Sequence, residues 1–349
     1  MKKKNKSRKT IVTALVLSAL ALFACGAFYF MTYMRPNSVS GKQAINIYRA
    51  TDYAGLLDSL EKSGAVRNMA SFKFVANQMK LADNFKPGHY ELKGGLTNKQ
   101  IERVFARGWQ TPVKLLVRPC VRDLGKMSAL LARQLEADST EIATALADRQ
   151  IMESHGFNRY TYLAMFIPDT YEVYWTVTPL QLLDRLKKEY DAFWNDSRTA
   201  KAKAAGLTTA QVVTLASIVI EETKYEPEMP AIAGVYINRL KKGMLLQADP
   251  TVKYAVNDPS LRRILNVHLQ VDSPYNTYKH AGLPPGPITT PSKAAIDAVL
   301  NYQHHDYLYF CADASFNGRH CFASSLAGHM ENARRFHAAL NARERAKSN

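Results

Sequence analysis

The sequence predicts an α+β protein with a single N-terminal transmembrane helix, a small α/β subdomain and a larger mixed α+β domain. Three observations carry that prediction. Thr10 to Met34 is a run of 25 residues without a charge, longer than the ~20 a helix needs to cross a bilayer. Beyond it, helical and strand-like patterns follow one another without strict alternation, which argues against a doubly wound sheet. Near the C-terminus, YLYFCA and RHCFA flank an Asn317-Gly318 pair, the signature of a β-hairpin.

The N-terminal segment sets the topology. Lys2, Lys3, Lys4, Lys6, Arg8 and Lys9 precede the apolar run and Arg35 ends it. The positive-inside rule then leaves the N-terminus in the cytoplasm and everything after Arg35 outside it. A cleaved signal peptide would have a shorter apolar core, whereas here the apolar character continues through Phe28, Tyr29 and Phe30. Leu22-Phe23-Ala24-Cys25 loosely resembles a lipoprotein cleavage box, but Phe23 is large for its position and the run continues past Cys25.

The expected division is a basic tail over 1–9, a transmembrane helix over 10–34, a polar linker over 35–42, a small subdomain over 43–112 and a larger domain over 113–349. In the small subdomain the order is strand (INIYRA), helix (YAGLLDSLEKSG), helix (MASFKFVANQM), strand (GHYEL) and a helix opened by the capping box Thr97 to Gln100 and closed near Gly108. Val113 to Val117 reads as a strand, followed by helical stretches over 124–138 and 139–156. After PDTYEVYW comes one long amphipathic run over 179–206. A helix over 231–243, a Pro- and Asn-rich loop region from Gln247 to Pro291, a helix over 292–303, the hairpin and a final helix complete the chain.

Charge bounds the partners. The net charge is +16, and removing the six basic residues of the tail leaves +10 for the exported part (16 − 6 = 10). Such a surplus suits anionic lipid headgroups or an anionic wall polymer. No nucleic acid is expected, because an exported domain would not meet one and no recognition motif for it is present. Four cysteines are too few for a disulfide scaffold. Cys25 lies in the apolar run and Cys120 stands alone. Cys311 and Cys321 are placed to face each other across the hairpin, either as a disulfide in an oxidising compartment or as two free thiols.

The segment most informative about chemistry is Thr208 to Tyr225. Thr208 and Gln211 fit a capping box and Leu207 with Val212 the accompanying staple, so a helix starts there. Leu215, Ile218, Val219 and Glu222 recur at the intervals of a core-facing stripe, and Thr214, Ser217, Glu221 and Lys224 at those of a solvated one. A carboxylate on the core stripe either pairs with a cation or is desolvated with a raised pKa, the state of a general acid near neutral pH. The pattern alone also fits a helix end that simply emerges into solvent.

Taken together, LASIVIEET, IAGVYINRLKKGMLLQADPTVKYA, DSPYNTYKHAGLPPGPI, HDYLYFCAD and GRHCF resemble the endolytic murein transglycosylase family, also called YceG-like. The resemblance is close over about 208–332, and Pro168-Asp169-Thr170-Tyr171 also fits. FKPGHYEL and the following helix look like the family's LysM-like subdomain. The resemblance implies a YceG-like catalytic domain with its core at 160–335, and an enzyme anchored in the inner membrane. Such an enzyme cuts peptidoglycan glycan strands internally at the MurNAc–GlcNAc β-1,4 bond, leaves 1,6-anhydroMurNAc ends and limits strand elongation. Peptidoglycan synthases of the elongation or division machinery are implied partners, and no cofactor or metal is implied.

Carried over by motif, the catalytic glutamate falls on Glu222. An acid that the family usually has two positions earlier is replaced by Ile220, and Glu221 is left as an expected solvated neighbour. Ala248 stands where the family commonly has Thr, and Arg118-Pro119 and Leu163-Ala164 replace Glu-Gly pairs near subdomain junctions. Expected substrate-binding residues are Gln247 and Asp249, in a loop facing the helix, and Tyr275, Asn276, Thr277 and Tyr278, whose amide and aromatic groups suit N-acetyl sugars. For Asp249 a cap before Pro250 is the alternative, and for the Tyr275–Tyr278 segment a rigid turn between prolines. Asn238, Arg239 and His320 are expected in supporting roles, as is His329, hydrogen-bonded like His320. His304-His305-Asp306 is not a metal-site pattern, because adjacent histidines diverge on either a strand or a helix. A glycoside hydrolase using Glu222 with Asp249, and a non-catalytic wall-binding or division scaffold, are the competing functions.

Overall fold

The computed structural model describes residues 2–41, 44–258 and 260–348, with side chains from 8 to 346. The side chains of Lys2, Lys3, Lys4 and Lys6 in the expected basic tail lie outside the described residues, as do Lys42 and Gln43, where the expected linker ends and the small subdomain begins. Helix α1 (Lys2–Tyr29) runs into a π-helical turn, Phe30–Met34. Within residues 8–34 the most apolar stretch of 18 residues has a mean hydropathy of 2.4 and is not buried, so this helix is long and apolar enough to cross a membrane.

The chain divides into two units, 1–114 with 172–177, and 115–171 with 178–349. In the first, β1 (Ile45–Ile47), α2 (Tyr53–Ser63), α3 (Met69–Gln78), α4 (Leu81–Asn84), β2 (Gly88–Tyr90) and α5 (Asn98–Ala106) follow in order. β1 and β2 pair antiparallel, with Ile45 opposite Tyr90 and Ile47 opposite Gly88. Their inner faces bury Ile45, Ile47 and Tyr90 with Leu56, Phe72 and Phe105, because successive strand residues face opposite sides and only one side is apolar. Each of the helices α2, α3 and α5 begins at a side-chain cap: Asp52, Asn68 and the Thr97–Gln100 capping box. Residues 172–177 join this unit through Tyr48 packed edge-on against Trp175, and through Gln110 Nε2, which donates to Thr176 Oγ1.

The expected linker is not one. Asn37 and Ser38 are buried, Pro36 bridges to Thr97 and Ser38 to Val66. Asn37 Nδ2 donates to Asn98 Oδ1, and Asn98 Nδ2 to the carbonyl of Thr32 in the π-helical turn. A run of small polar residues looks like linker composition, but here its amides supply the hydrogen bonds that seat the end of α1 on α5.

β3 (Val113–Val117) and β4 (Asp169–Val173) form a second two-stranded sheet, and the division between the units runs through both strands. The second unit contains α6 (Leu124–Ala132), α7 (Ser139–Ala147), α8 (Arg149–Ser154), α9 (Pro179–Phe193), α10 (Asp196–Ala204), α11 (Thr209–Glu222), α12 (Met229–Lys241), α13 (Asp249–Val256) and α14 (Lys293–Leu300). The hairpin β5 (Tyr309–Ala312) with β6 (His320–Ala323) and the final helix α15 (Leu326–Ser348) complete it. Two expected helices are each split by a capping residue: Asp148 starts α8 and Asn195 starts α10. A residue whose side chain bonds the N–H groups two or three positions ahead takes extended backbone itself, so an apolar stripe spanning it is interrupted. The loop region from Gln247 also contains α13 and a 3-10 turn, His268–Gln270.

α11 is the central helix. Val212 to Ile220 are all buried, so the solvated stripe expected at Thr214 and Ser217 is absent. Thr214 Oγ1 donates to the Ala210 carbonyl, and Ser217 Oγ donates to the Thr214 carbonyl while accepting from the Ile288 N–H. With their hydroxyls bonded internally, both residues fit a helix that is buried all round. The helix ends at Glu222, three residues before the expected Tyr225. Thr223 is extended and its Oγ1 accepts from the Tyr225 N–H, and Pro227 disfavours helix in the residue before it.

Candidate active site

α11 carries Glu222 to a cavity of about 340 Å³ that Tyr236, Arg239, Gln247, Asp249 and Tyr278 also line. Tyr236, on α12, is buried and its hydroxyl donates to Glu222 Oε1 at 2.6 Å. Loss of water around the carboxyl pushes the Glu222 pKa up to about 7. The Tyr236 hydrogen bond works against that rise, and the charges of Asp249 and Glu221 add to it. At neutral pH Glu222 is therefore divided between acid and carboxylate.

Asp249 opens α13, where Ala248 offers no side-chain cap, and its Oδ1 accepts from the Tyr278 hydroxyl at 2.6 Å. The acid is thus oriented into the cavity by a tyrosine, in the same way as Glu222. Gln247 sits at φ 50, held by its N–H to the Thr277 carbonyl, and its Oε1 lies 3.4 Å from Arg239 Nη1. Arg239 is buried and donates to the carbonyls of Leu308 and Leu246. It also lies 5.1 Å from the centre of the Tyr309 ring. Its two carbonyl bonds tie α12 to the loop before α13 and to the start of the hairpin. Asn238 Nδ2, on the same helix, donates to the carbonyls of His305 and Tyr307. His320 pairs with Glu228 at 2.6 Å, tying β6 to the start of α12.

Several expectations are corrected. Asn276 and Thr277 are buried with their side chains bonded internally: Asn276 Nδ2 to the carbonyls of Leu269 and Val271, Thr277 Oγ1 to Thr251 and the Ala248 N–H. They shape the loop that presents Tyr278 and Gln247 and have no surface for a sugar. Tyr275 packs against Tyr254, with ring centres 4.6 Å apart, and lies outside this cavity's lining. Glu221 is not a solvated neighbour, because Arg122 Nη2 bonds it at 2.9 Å with only 16% of the carboxylate side chain exposed. His329 is not a hydrogen-bonded structural residue. It lines the cavity, stacks on Tyr309 at 5.3 Å, and its Nδ1 is buried without a partner among the described residues. Burial, and then the charge of Arg239, push its pKa down. Cys311 and Cys321 are opposite each other in the hairpin register but are free thiols, Cys321 Sγ donating to Asp313.

Reading the chain alone missed Tyr236. Its spacing to Arg239, i to i+3, places the two on one helix face and was the available signal. Tyr309, Phe310 and Leu326 carry no such signal, because only the hairpin and α15 bring them to the cavity.

The YceG-like family profile matches residues 45–335, most of the chain. The chain belongs to the YceG-like family. Among its relatives, a Bacillus subtilis (strain 168) protein named endolytic murein transglycosylase is 26% identical over 321 residues, covering 87% of this chain and 88% of that protein. A Streptococcus pneumoniae (serotype 2, strain D39) protein of the same name is 27% identical over 360 residues, covering 92% of this chain and 65% of the relative. The crystal structure of a YceG-like protein from Listeria monocytogenes, solved at 2.6 Å, superposes with a TM-score of 0.53 at 25% identity, covering 84% of this chain and 99% of that one. This YceG-like chain thus shares both sequence and fold with the family along most of its length.

Proposed function

We propose that this chain is a membrane-anchored endolytic lytic transglycosylase that cleaves the MurNAc–GlcNAc β-1,4 bond of peptidoglycan strands, with Glu222 as its acid and base. The observation that carries the reading is the desolvated Glu222 carboxyl, poised near neutrality in a cavity and held by Tyr236. Protonated, Glu222 gives its proton to the glycosidic oxygen as the bond to C1 of MurNAc breaks. The GlcNAc O4 leaves as a hydroxyl. The resulting carboxylate takes the proton of the C6 hydroxyl of the same MurNAc, and O6 closes on C1. Glu222 ends protonated, a 1,6-anhydro end forms and no water is consumed. A group that must be acid and then base in one turnover works best with a pKa near the operating pH.

Asp249 and Gln247 are assigned to the sugar ring, with the Asp249 charge facing the positive charge that develops at C1. Tyr278 orients Asp249 and borders the same cavity. Arg239 is unsuited to stabilising that transition state, since both are cationic, which agrees with its backbone bonds. Two antiparallel strands, β1 and β2, enclosing the helices α2, α3 and the short α4 support reading the first unit as a LysM-like wall-binding module. The apolar helix 8–34 supports a single-pass anchor in the cytoplasmic membrane, with the N-terminus inside and the chain from Arg35 onward outside. Placed there, the enzyme meets nascent strands beside the synthases that make them.

Digestion of purified sacculi by the full-length chain in detergent, followed by mass spectrometry of the new ends, tests the reading. Anhydro ends support it. Reducing ends would make the chain a hydrolase using Glu222 with Asp249, and intact glycan would leave it a scaffold.

A further inference from the structure

A glycan strand continues on either side of the bond being cut, and a 340 Å³ cavity cannot hold its next repeats. A second cavity, of about 400 Å³, lies between the start of α6 and the end of α13. At the end of α11, Glu222 lines the first cavity, and its neighbour Glu221 bonds Arg122, which lines the second. α13 begins with Asp249 in the first cavity and reaches the second with Lys253 and Tyr254, one turn or ~6 Å further along its axis.

The second cavity sets three cations, Arg122, Lys126 and Lys253, against two acids, Asp123 and Asp258, whereas the first sets Glu222 and Asp249 against Arg239. Lys253 has no carboxylate within ion-pair distance among the described residues. Lys126 lies 3.7 Å from Asp123 with both side chains more than half exposed, a pairing worth little in water. The two acids of the lining already have internal donors: Asp123 Oδ1 accepts the Lys126 N–H that opens α6, and Asp258 Oδ1 accepts both the N–H and hydroxyl of Ser260. Tyr254, braced by Tyr275, adds an aromatic wall.

We infer that this second cavity is a subsite for a peptide-bearing repeat adjacent to the scissile bond, its cations receiving the carboxylates of the stem peptide. The inference rests on the reading of the Glu222 cavity as the cleavage site and adds which part of the polymer is recognised beside it. Lys253 is the principal ligand, and Arg122 and Lys126 supply the surrounding positive field.

The test is binding by the full-length Glu222→Gln variant in detergent. The probes are soluble glycan fragments with their stem peptides, and the same fragments stripped by an amidase. Adding Lys253→Gln is expected to weaken binding of peptide-bearing fragments about tenfold more than binding of stripped ones. Lys253→Arg should restore most of the difference, and rising salt should erase it. Lys126→Gln, on an exposed side chain, repeats the measurement with little risk to folding and is expected to give a smaller selective loss. Equal weakening for both probes, or no weakening for peptide-bearing fragments, would overturn the inference. Cleavage of sacculi by the unmutated chain is scored separately. Its absence with peptide-selective binding intact counts against the cleavage reading alone.

Discussion

At the scale of single residues, the chemistry depends on how Glu222 is solvated. Its pKa in the folded chain, about 7, lies above the ordinary 4.5. The folded chain therefore holds a proton that the unfolded chain releases, and this contribution to stability is fully present below about pH 4.5 and is lost as pH rises through about 7. Glu222→Gln is expected to be more stable than the unmutated chain at pH 8, on the order of 2 kcal/mol once the shift is discounted for the minor part of the residue that stays exposed. The gap should close below about pH 4.5, as read by denaturant titration across the range. The same variant should lose about a thousandfold in glycan cleavage. Tyr236→Phe removes the bond that favours the carboxylate, so the alkaline limb of the pH–rate profile should move to higher pH, with a roughly tenfold loss of rate at pH 7. An unmoved limb would mean Tyr236 does not act on Glu222. Glu222 was legible in the chain because an acid on an apolar helical stripe is conspicuous. The buried, bonded state of Asn276 and Thr277 was not, since an amide that holds a turn and an amide that holds a sugar are the same residue type.

At the scale of elements, α11 is kept in place by a loop behind it. Gly286 passes so close to the Tyr160 carbonyl that a Cβ there would sit 1.9 Å from the oxygen. Two residues on, the Ile288 N–H bonds Ser217 on α11, and Thr290 Oγ1 accepts from the Val121 N–H and donates to the Arg118 carbonyl. Gly286→Ala must push backbone against backbone and is expected to destabilise the chain by about 3 kcal/mol, more than a typical substitution. Ser217→Ala leaves the Ile288 N–H buried without an acceptor and is expected to cost about 1–3 kcal/mol. Thermal unfolding of the two variants ranks them, and a Gly286→Ala chain as stable as the parent would show that the loop can move away. Helices with their own caps, such as those opened at Thr97 and Thr208, were legible from local sequence. α13 was not, because it begins at Ala248 without a side-chain cap and lies within a stretch rich in Pro and Asn. The breaks at Asp148 and Asn195 were hidden by apolar periodicity that continues across them.

At the scale of the whole molecule, the proposed topology makes a simple statement about exposure. In sealed spheroplasts, protease added from outside should digest the chain from Arg35 onward and leave a fragment of residues 1–34 protected. Protection of the two large units instead would reverse the orientation. The α+β class and the order of its elements were legible along the chain, whereas the grouping of 172–177 with the first unit was not, since it depends on Trp175 finding Tyr48 across more than a hundred residues. One feature of that first unit bears on how far the proposed anchor lets it roam. Eight free residues would allow a tether of roughly 15 Å in root-mean-square span. Instead Asn37, Asn98 and the Thr32 carbonyl fasten the helix end to α5, so the first unit rides on its anchor as on a fixed mount. With α1 in a bilayer, its height above the lipid is set by covalent geometry and these two amide hydrogen bonds. The wall it can touch is a thin layer next to the membrane, and a flexible insertion after Met34 would widen that layer.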